Sequence, residues 1–117
     1  MSDFGTQNHA LASVKGRILS SINDSTMIDI SHTIAAFNVQ QAAYIFKQAY
    51  RHFPPGSFHY VFTDLYAHPG KQLLYAFENG QHIFCADNGF MTMLFDDTPV
   101  QLYKLTEKVY HYNFLTV

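Results

Sequence analysis

An α/β layer structure with a mixed β-sheet is what this sequence predicts, on three observations. Two segments repeat apolar residues at three- and four-residue spacing, short β-branched and aromatic runs lie between and after them, and an Asn-Gly pair separates two of those runs. The order helix, strand, helix, strand, then hairpins calls for parallel and antiparallel neighbours within one sheet. With 117 residues the chain suits one core, and 1–117 is expected to be a single domain.

The first helix is carried by Leu11, Val14, Ile18 and Ile22, with Thr6-Gln7-Asn8 as its caps and Asn23-Asp24 as its stop. Thr26 to Ser31 is a β-branched run expected to form a buried strand. The second helix presents Val39, Ala42, Ala43, Phe46, Ala49, Tyr50 and Phe53 on one face. Asn38 with Gln41 three residues on is a capping-box variant, and Pro54-Pro55-Gly56 ends the helix. Ser57 to Thr63 is the strongest strand, followed by Gln72 to Phe77 and Gln81 to Cys85 around an Asn79-Gly80 turn. Val100 to Leu105 and Val109 to Leu115 are two further strands.

Composition narrows the function. Hydrophobic residues make up 48% and charged residues 14%, so a disordered chain is excluded. A net charge of -2 leaves no basic stripe for phosphates, which argues against nucleic acid as a partner. No apolar run approaches the ~20 residues that span a bilayer, and no charged-then-apolar leader opens the chain, so no membrane partner and a reducing, cytoplasmic location are expected. Eleven Phe and eight Tyr against few charges are more sticky surface than a small monomer usually hides. Exposed aromatics should therefore cluster where another subunit or another part of the protein would sit.

The seven histidines lack the spacing of a metal site, so no metal is expected. His52 and His59 flank the Pro-Pro turn and are expected at the surface. Cys85, inside an apolar strand, is expected to be a small core residue. What remains is a set of aspartates at strand ends and turns: Asp3, Asp29, Asp64 and Asp87. Each is as well explained as a cap or turn former as by function, unless several converge on one sheet edge, where carboxylates bind hydroxyls or orient water. On the residues alone what emerges is an α/β domain with an acidic loop edge, and an interaction domain has the same features.

Those loops carry a family resemblance. Ser2-Asp3-Phe4-Gly5 with Val14-Lys15-Gly16, Ile28-Asp29-Ile30-Ser31-His32-Thr33-Ile34, Phe37-Asn38-Val39-Gln40-Gln41-Ala42-Ala43, Phe53-Pro54-Pro55-Gly56-Ser57-Phe58-His59 and Asp87-Asn88-Gly89-Phe90 follow one another in order. Together they resemble the N-terminal domain of the S-adenosyl-L-methionine hydroxide adenosyltransferases, relatives of the fluorinating and chlorinating enzymes, over roughly residues 2 to 95. The resemblance implies a layered α/β/α domain with a mixed sheet, a homo-trimer, no separate cofactor, and S-adenosyl-L-methionine as substrate or ligand. It also implies a strand before Ser2 and a C-terminal β domain beyond this sequence.

By the same resemblance Asp3 matches the aspartate that holds the ribose hydroxyls, a role suited to a carboxylate accepting from a vicinal diol. Phe37 falls where related enzymes place an aromatic beside the ligand; read locally, it is equally a staple residue before the Asn38 cap. Asp64 matches the aspartate opening the water-handling loop, written Asp-Pro-Gly-Val-Gly-Thr-x-Arg in the hydrolases. Here Leu65-Tyr66-Ala67-His68-Pro69-Gly70-Lys71 follows, with Lys71 at the arginine's place and His68 a possible substitute; Leu115 aligns with the family's histidine. Lysine keeps the charge and loses the planar fork. Two functions follow from the resemblance: water attack at the ribose C5′ giving adenosine and L-methionine, through Asp64 and Lys71, or a catalytically silent adenosyl-ligand-binding or assembly module.

Overall fold

A computed structural model describes residues 1–22, 24–64, 72–96 and 98–105. The elements are α1 (Ala10–Ser21), α2 (Val39–Tyr50), β1 (Phe58–Val61), β2 (Leu73–Glu78), β3 (Gln81–Ala86), α3 (Phe90–Phe95) and β4 (Leu102–Lys104). They form an α/β fold around a four-stranded mixed sheet in the order β1-β3-β2-β4. β1 runs parallel to β3, β2 pairs antiparallel with both β3 and β4, and the chain hops from β1 past the place later filled by β3.

The predicted local signals act where they stand. The Asn38 side chain accepts from the Gln41 N–H at 2.9 Å, while the Gln41 amide oxygen accepts from the Ala35 N–H at 3.1 Å, a capping box that reaches one turn further back. Asn79 and Gly80 both take positive φ, at 52° and 73°, which the two-residue turn between β2 and β3 requires. Val39, Ala42, Ala43, Phe46 and Tyr50 are the buried face of α2. With α3 they cover one sheet face, where Val61, Ile83, Cys85, Leu74 and Ala76 complete the core.

The opposite sheet face is a pavement of rings. Phe58 stacks on His82 at 4.3 Å, Tyr60 on Phe84 at 5.2 Å, Tyr75 on Phe84 at 4.9 Å, and Tyr103 leans on Tyr75 at 5.9 Å. Phe58, Phe77 and Tyr103 are exposed there, while Phe37 and Tyr44, more exposed still, lie before and within α2. The apolar side chains of α1 are only partly buried: Leu11, Val14 and Ile18 line a cavity of about 470 Å³ shared with Met1, Phe58, Tyr60 and Phe62.

Three expectations need correction, and one element goes unannounced. Thr26 to Ser31 forms no strand; only its end is engaged, through the Ser31 carbonyl accepting from the Ser2 N–H, and Ile28 is 65% exposed. The second helix stops at Tyr50, leaving Phe53 beyond its Arg51 cap. His59 is buried rather than at the surface, held by Gln81 and walled by Phe46, Tyr50 and Phe53. α3 is an additional helix, six residues long, that the sequence pattern does not announce. The expected strand Val109 to Leu115 lies outside the described residues.

Candidate functional site

Residues 1–3 lie against β1 as a rudiment of a parallel strand. The Met1 α-amino group donates to the Tyr60 carbonyl at 2.9 Å, the Phe62 N–H to the Met1 carbonyl at 2.9 Å, and the Asp3 N–H to the Phe62 carbonyl at 3.3 Å. This segment, β1 and β3 therefore run the same way, and their carboxyl ends share one edge. In open sheets that edge is where ligands collect. It carries Asp3, Asp64 and Asp87-Asn88-Gly89, three of the loops singled out from sequence.

Two contacts knit the loops together. In a continuing parallel ladder the Asp64 N–H would meet the Asp3 carbonyl; instead it donates to the Asp3 carboxylate at 2.9 Å. Asp64 has φ 52°, a left-handed turn that an aspartate tolerates and that ends the strand. The Asn88 amide donates to the Thr63 carbonyl at 2.8 Å, and its oxygen accepts from the Phe90 N–H at 3.1 Å. Asn88 thus fastens the β3–α3 corner to the end of β1. Behind Asp3, Phe4 stacks on Phe62 at 5.9 Å.

Asp3 and Asp64 are brought together; Phe37 is not joined to them. Phe37 is 68% exposed, so it does not serve as a packed staple, and its φ of 63° is unusual for a bulky side chain. Lys71 and His68 lie outside the described residues. Asp29 does not sit at a strand end; its carboxylate accepts from Lys15 at 2.8 Å and from His32 at 2.9 Å. The Lys15 bond, then the His32 bond, hold its pKa below the usual carboxylate value. Burial lowers the His32 pKa against the pull of Asp29. Sequence reasoning missed Ser2, whose hydroxyl meets His32 Nδ1 at 2.7 Å; no local spacing announces a contact across thirty positions.

Among the described residues no three His, Cys, Asp or Glu side chains come together to hold a metal ion. Cys85 is buried in the core, and burial, with Asp87 nearby, pushes its thiol up to about 12. It is not a nucleophile at neutral pH. No helix among the described residues is long and apolar enough to cross a membrane.

Fold and site together define an α/β domain with a carboxylate-bearing edge at the ends of its parallel strands. Residues 1–115 match the S-adenosyl-L-methionine hydroxide adenosyltransferase N-terminal domain, and the chain belongs to that family. It is 30% identical to an (R)-S-adenosyl-L-methionine hydrolase of Methanocaldococcus jannaschii over 114 aligned positions, covering 93% of this chain and 43% of that protein. It is 35% identical to a fluorinase of Actinopolyspora mzabensis over 57 positions, 49% of this chain and 19% of the enzyme. The crystal structure of an uncharacterized conserved protein from Thermotoga maritima superposes with a TM-score of 0.81 at 24% identity, over 90% of this chain and 41% of that one, and shares the fold. The chain spans less than half the length of each of these relatives.

Proposed function

We propose that this chain binds an adenosyl ligand at the edge built by Asp3 and Asp64, as part of a protein that uses S-adenosyl-L-methionine. The observation that carries it is the Asp64 N–H bond to the Asp3 carboxylate, which joins the two aspartates at the carboxyl ends of parallel strands. A carboxylate offers about four acceptor positions and this bond uses one, leaving Asp3 able to accept from a vicinal diol. Family membership and the named relatives support the ligand class.

The reaction favoured for such a site is hydrolysis. Water attacks the ribose C5′ in line with the departing sulfur, the C5′–S bond breaks as C5′–O forms, and the attacking water gives up a proton; the products are adenosine and L-methionine. The sulfonium is already a good leaving group, so positioning and desolvating the water is what the protein must supply. In this proposal Asp3 holds the ribose, Asp64 and Lys71 orient the water, and Phe37 packs beside the ligand. The altered loop after Asp64 favours a second reading, a domain that binds the ligand without turning it over.

Calorimetric titration with S-adenosyl-L-methionine, with adenosine release followed in parallel, separates the two. Adenosine formed by the wild type and lost in Asp64→Ala supports hydrolysis; binding without adenosine supports the silent module; neither binding nor turnover overturns both. The proposal also takes the protein as a homo-oligomer, trimeric by family resemblance, and a monomer on gel filtration at high concentration would count against that part.

A further inference from the structure

Four side chains form a single hydrogen-bonded line that ends beside Asp3. Lys15 Nζ donates to Asp29 Oδ2 at 2.8 Å, and His32 Nε2 faces Asp29 Oδ1 at 2.9 Å. His32 Nδ1 faces Ser2 Oγ at 2.7 Å, and Ser2 Oγ accepts from the Phe4 N–H at 3.2 Å. A carboxylate only accepts, so in the neutral ring the proton sits on Nε2 and Nδ1 must accept from the Ser2 hydroxyl. The direction of every bond is thereby set from the solvent end inward. Ser2 is fully buried and the His32 side chain is 9% exposed, whereas Asp29 stands at the surface. The backbone follows the same route: Ser2 N–H donates to the Ser31 carbonyl at 2.9 Å and Gly5 N–H to the His32 carbonyl at 2.8 Å. Both ends of the Ser2–Gly5 turn are therefore tied to Ser31-His32, and Asp3 is the residue the turn presents.

We propose that His32 is a positioning residue: oriented by Asp29 and acting through Ser2, it holds the Asp3 turn in the geometry that receives Asp64 and the ribose of an adenosyl ligand. The ribose half of this statement rests on the function proposed above; the Asp64 half does not. A buried serine whose hydroxyl is committed to a ring nitrogen and a backbone N–H is a strut, and no nucleophilic role is assigned to it.

Two isosteric replacements dissect the line. In His32→Asn the side-chain amide lies near Nδ1 and keeps the Ser2 bond; in His32→Gln it lies near Nε2 and keeps only the Asp29 bond. Amide hydrogen exchange at Asp64, read by NMR, should accelerate about tenfold in His32→Gln and in Ser2→Ala, the loss of roughly one hydrogen bond, and change much less in His32→Asn. Affinity for S-adenosyl-L-methionine should fall in the same order. In an Asp3→Ala background the His32→Gln change should cost no further affinity, whereas general loosening would cost it again. Unchanged Asp64 exchange in His32→Gln, or equal damage from Asn and Gln, overturns the positioning role. Accelerated exchange in His32→Gln, together with a wild type that does not bind S-adenosyl-L-methionine, keeps the positioning role and overturns its ribose half.

Discussion

The Asp64 N–H donates to the Asp3 carboxylate, 61 positions away in sequence, at the point where the parallel ladder between the first residues and β1 comes to an end. One side chain therefore terminates a ladder and, in the function proposed above, also holds the ligand, and two substitutions pull the roles apart. Asn keeps an oxygen for the Asp64 N–H but loses the charge that a diol favours; Ala loses both. Asp3→Ala should destabilise the fold by about 1.5–3 kcal/mol, the range for a hydrogen bond to a charged group. Asp3→Asn should cost less, about 1 kcal/mol for the charge-assisted part of that bond, and weaken S-adenosyl-L-methionine binding about tenfold, the equivalent of one charge-assisted bond. Urea unfolding and calorimetry on the two variants check both statements.

Phe37 offers a case with the opposite sign. Its ring is largely exposed, so little burial is lost on removal, while its φ of 63° is one that glycine adopts without cost. Phe37→Gly should therefore hold or raise stability, by up to about 1–2 kcal/mol from relieved backbone strain. If the ring packs beside the ligand, the same variant binds S-adenosyl-L-methionine several-fold more weakly. A melting temperature that drops by many degrees would show instead that Phe37 is a structural anchor.

Acid should weaken the fold from pH 8 downward. Burial takes the Met1 α-amino group from 8.0 to about 6, with Asp29 opposing and Lys15 adding to the effect. Between those values the unfolded chain binds the proton and the folded one does not, so stability rises with pH across that window, by an amount on the order of 2 kcal/mol. His32 and His59 are both lowered, mainly by burial, so each subtracts stability as pH falls through the ordinary histidine value and stops doing so below its own folded one. Urea midpoints at pH 8, 7 and 6 should fall in that order. Acetylating Met1 should flatten the slope above pH 7 and leave the histidine part below it.

Cys85 reports on the same core. With its thiol pushed up to about 12 and its side chain buried on the sheet face that α2 and α3 cover, it should resist alkylation in the native state and react at once in urea. Labelling of the folded protein at pH 8 within minutes would mean that this face opens.

What could be seen from sequence was whatever the residues decide among near neighbours. α2 is legible because its apolar face and its Asn38 cap lie within one stretch, and the β2–β3 hairpin because Asn79-Gly80 is its own turn. Thr26 to Ser31 has a strand's composition, but a strand needs ladder partners, and in this run only the Ser31 carbonyl meets one. α3 is too short for a period to show and starts from Gly89 in a left-handed conformation. His59 looked like a turn-flanking surface residue because its partner, Gln81, is 22 positions away. The candidate site divides the same way. Family resemblance brought Asp3 and Asp64 forward, yet their contact, and the line from Lys15 to Ser2, exist only once the chain is folded.

Two glycine substitutions should move stability in opposite directions. Gly80 sits at φ 73°, and a Cβ built there would lie 2.9 Å from the Pro55 Cβ, because the turn before β1 packs against the β2–β3 hairpin and its Gly56 N–H bonds the Gly80 carbonyl. Neither proline ring nor turn can retreat without breaking that bond. Gly80→Ala should therefore cost more than the ~1–2 kcal/mol of a left-handed alanine alone. Gly16 lies inside α1 with nothing near its would-be Cβ. There Ala removes only the conformational freedom that glycine loses on becoming helical, and Gly16→Ala should add about 0.5–1 kcal/mol. Both are measured by chemical unfolding. A Gly80→Ala protein as stable as the wild type would mean that the Pro55 turn does not rest on the hairpin, and a Gly16→Ala protein of lower stability would mean that α1 is held against a surface at that position.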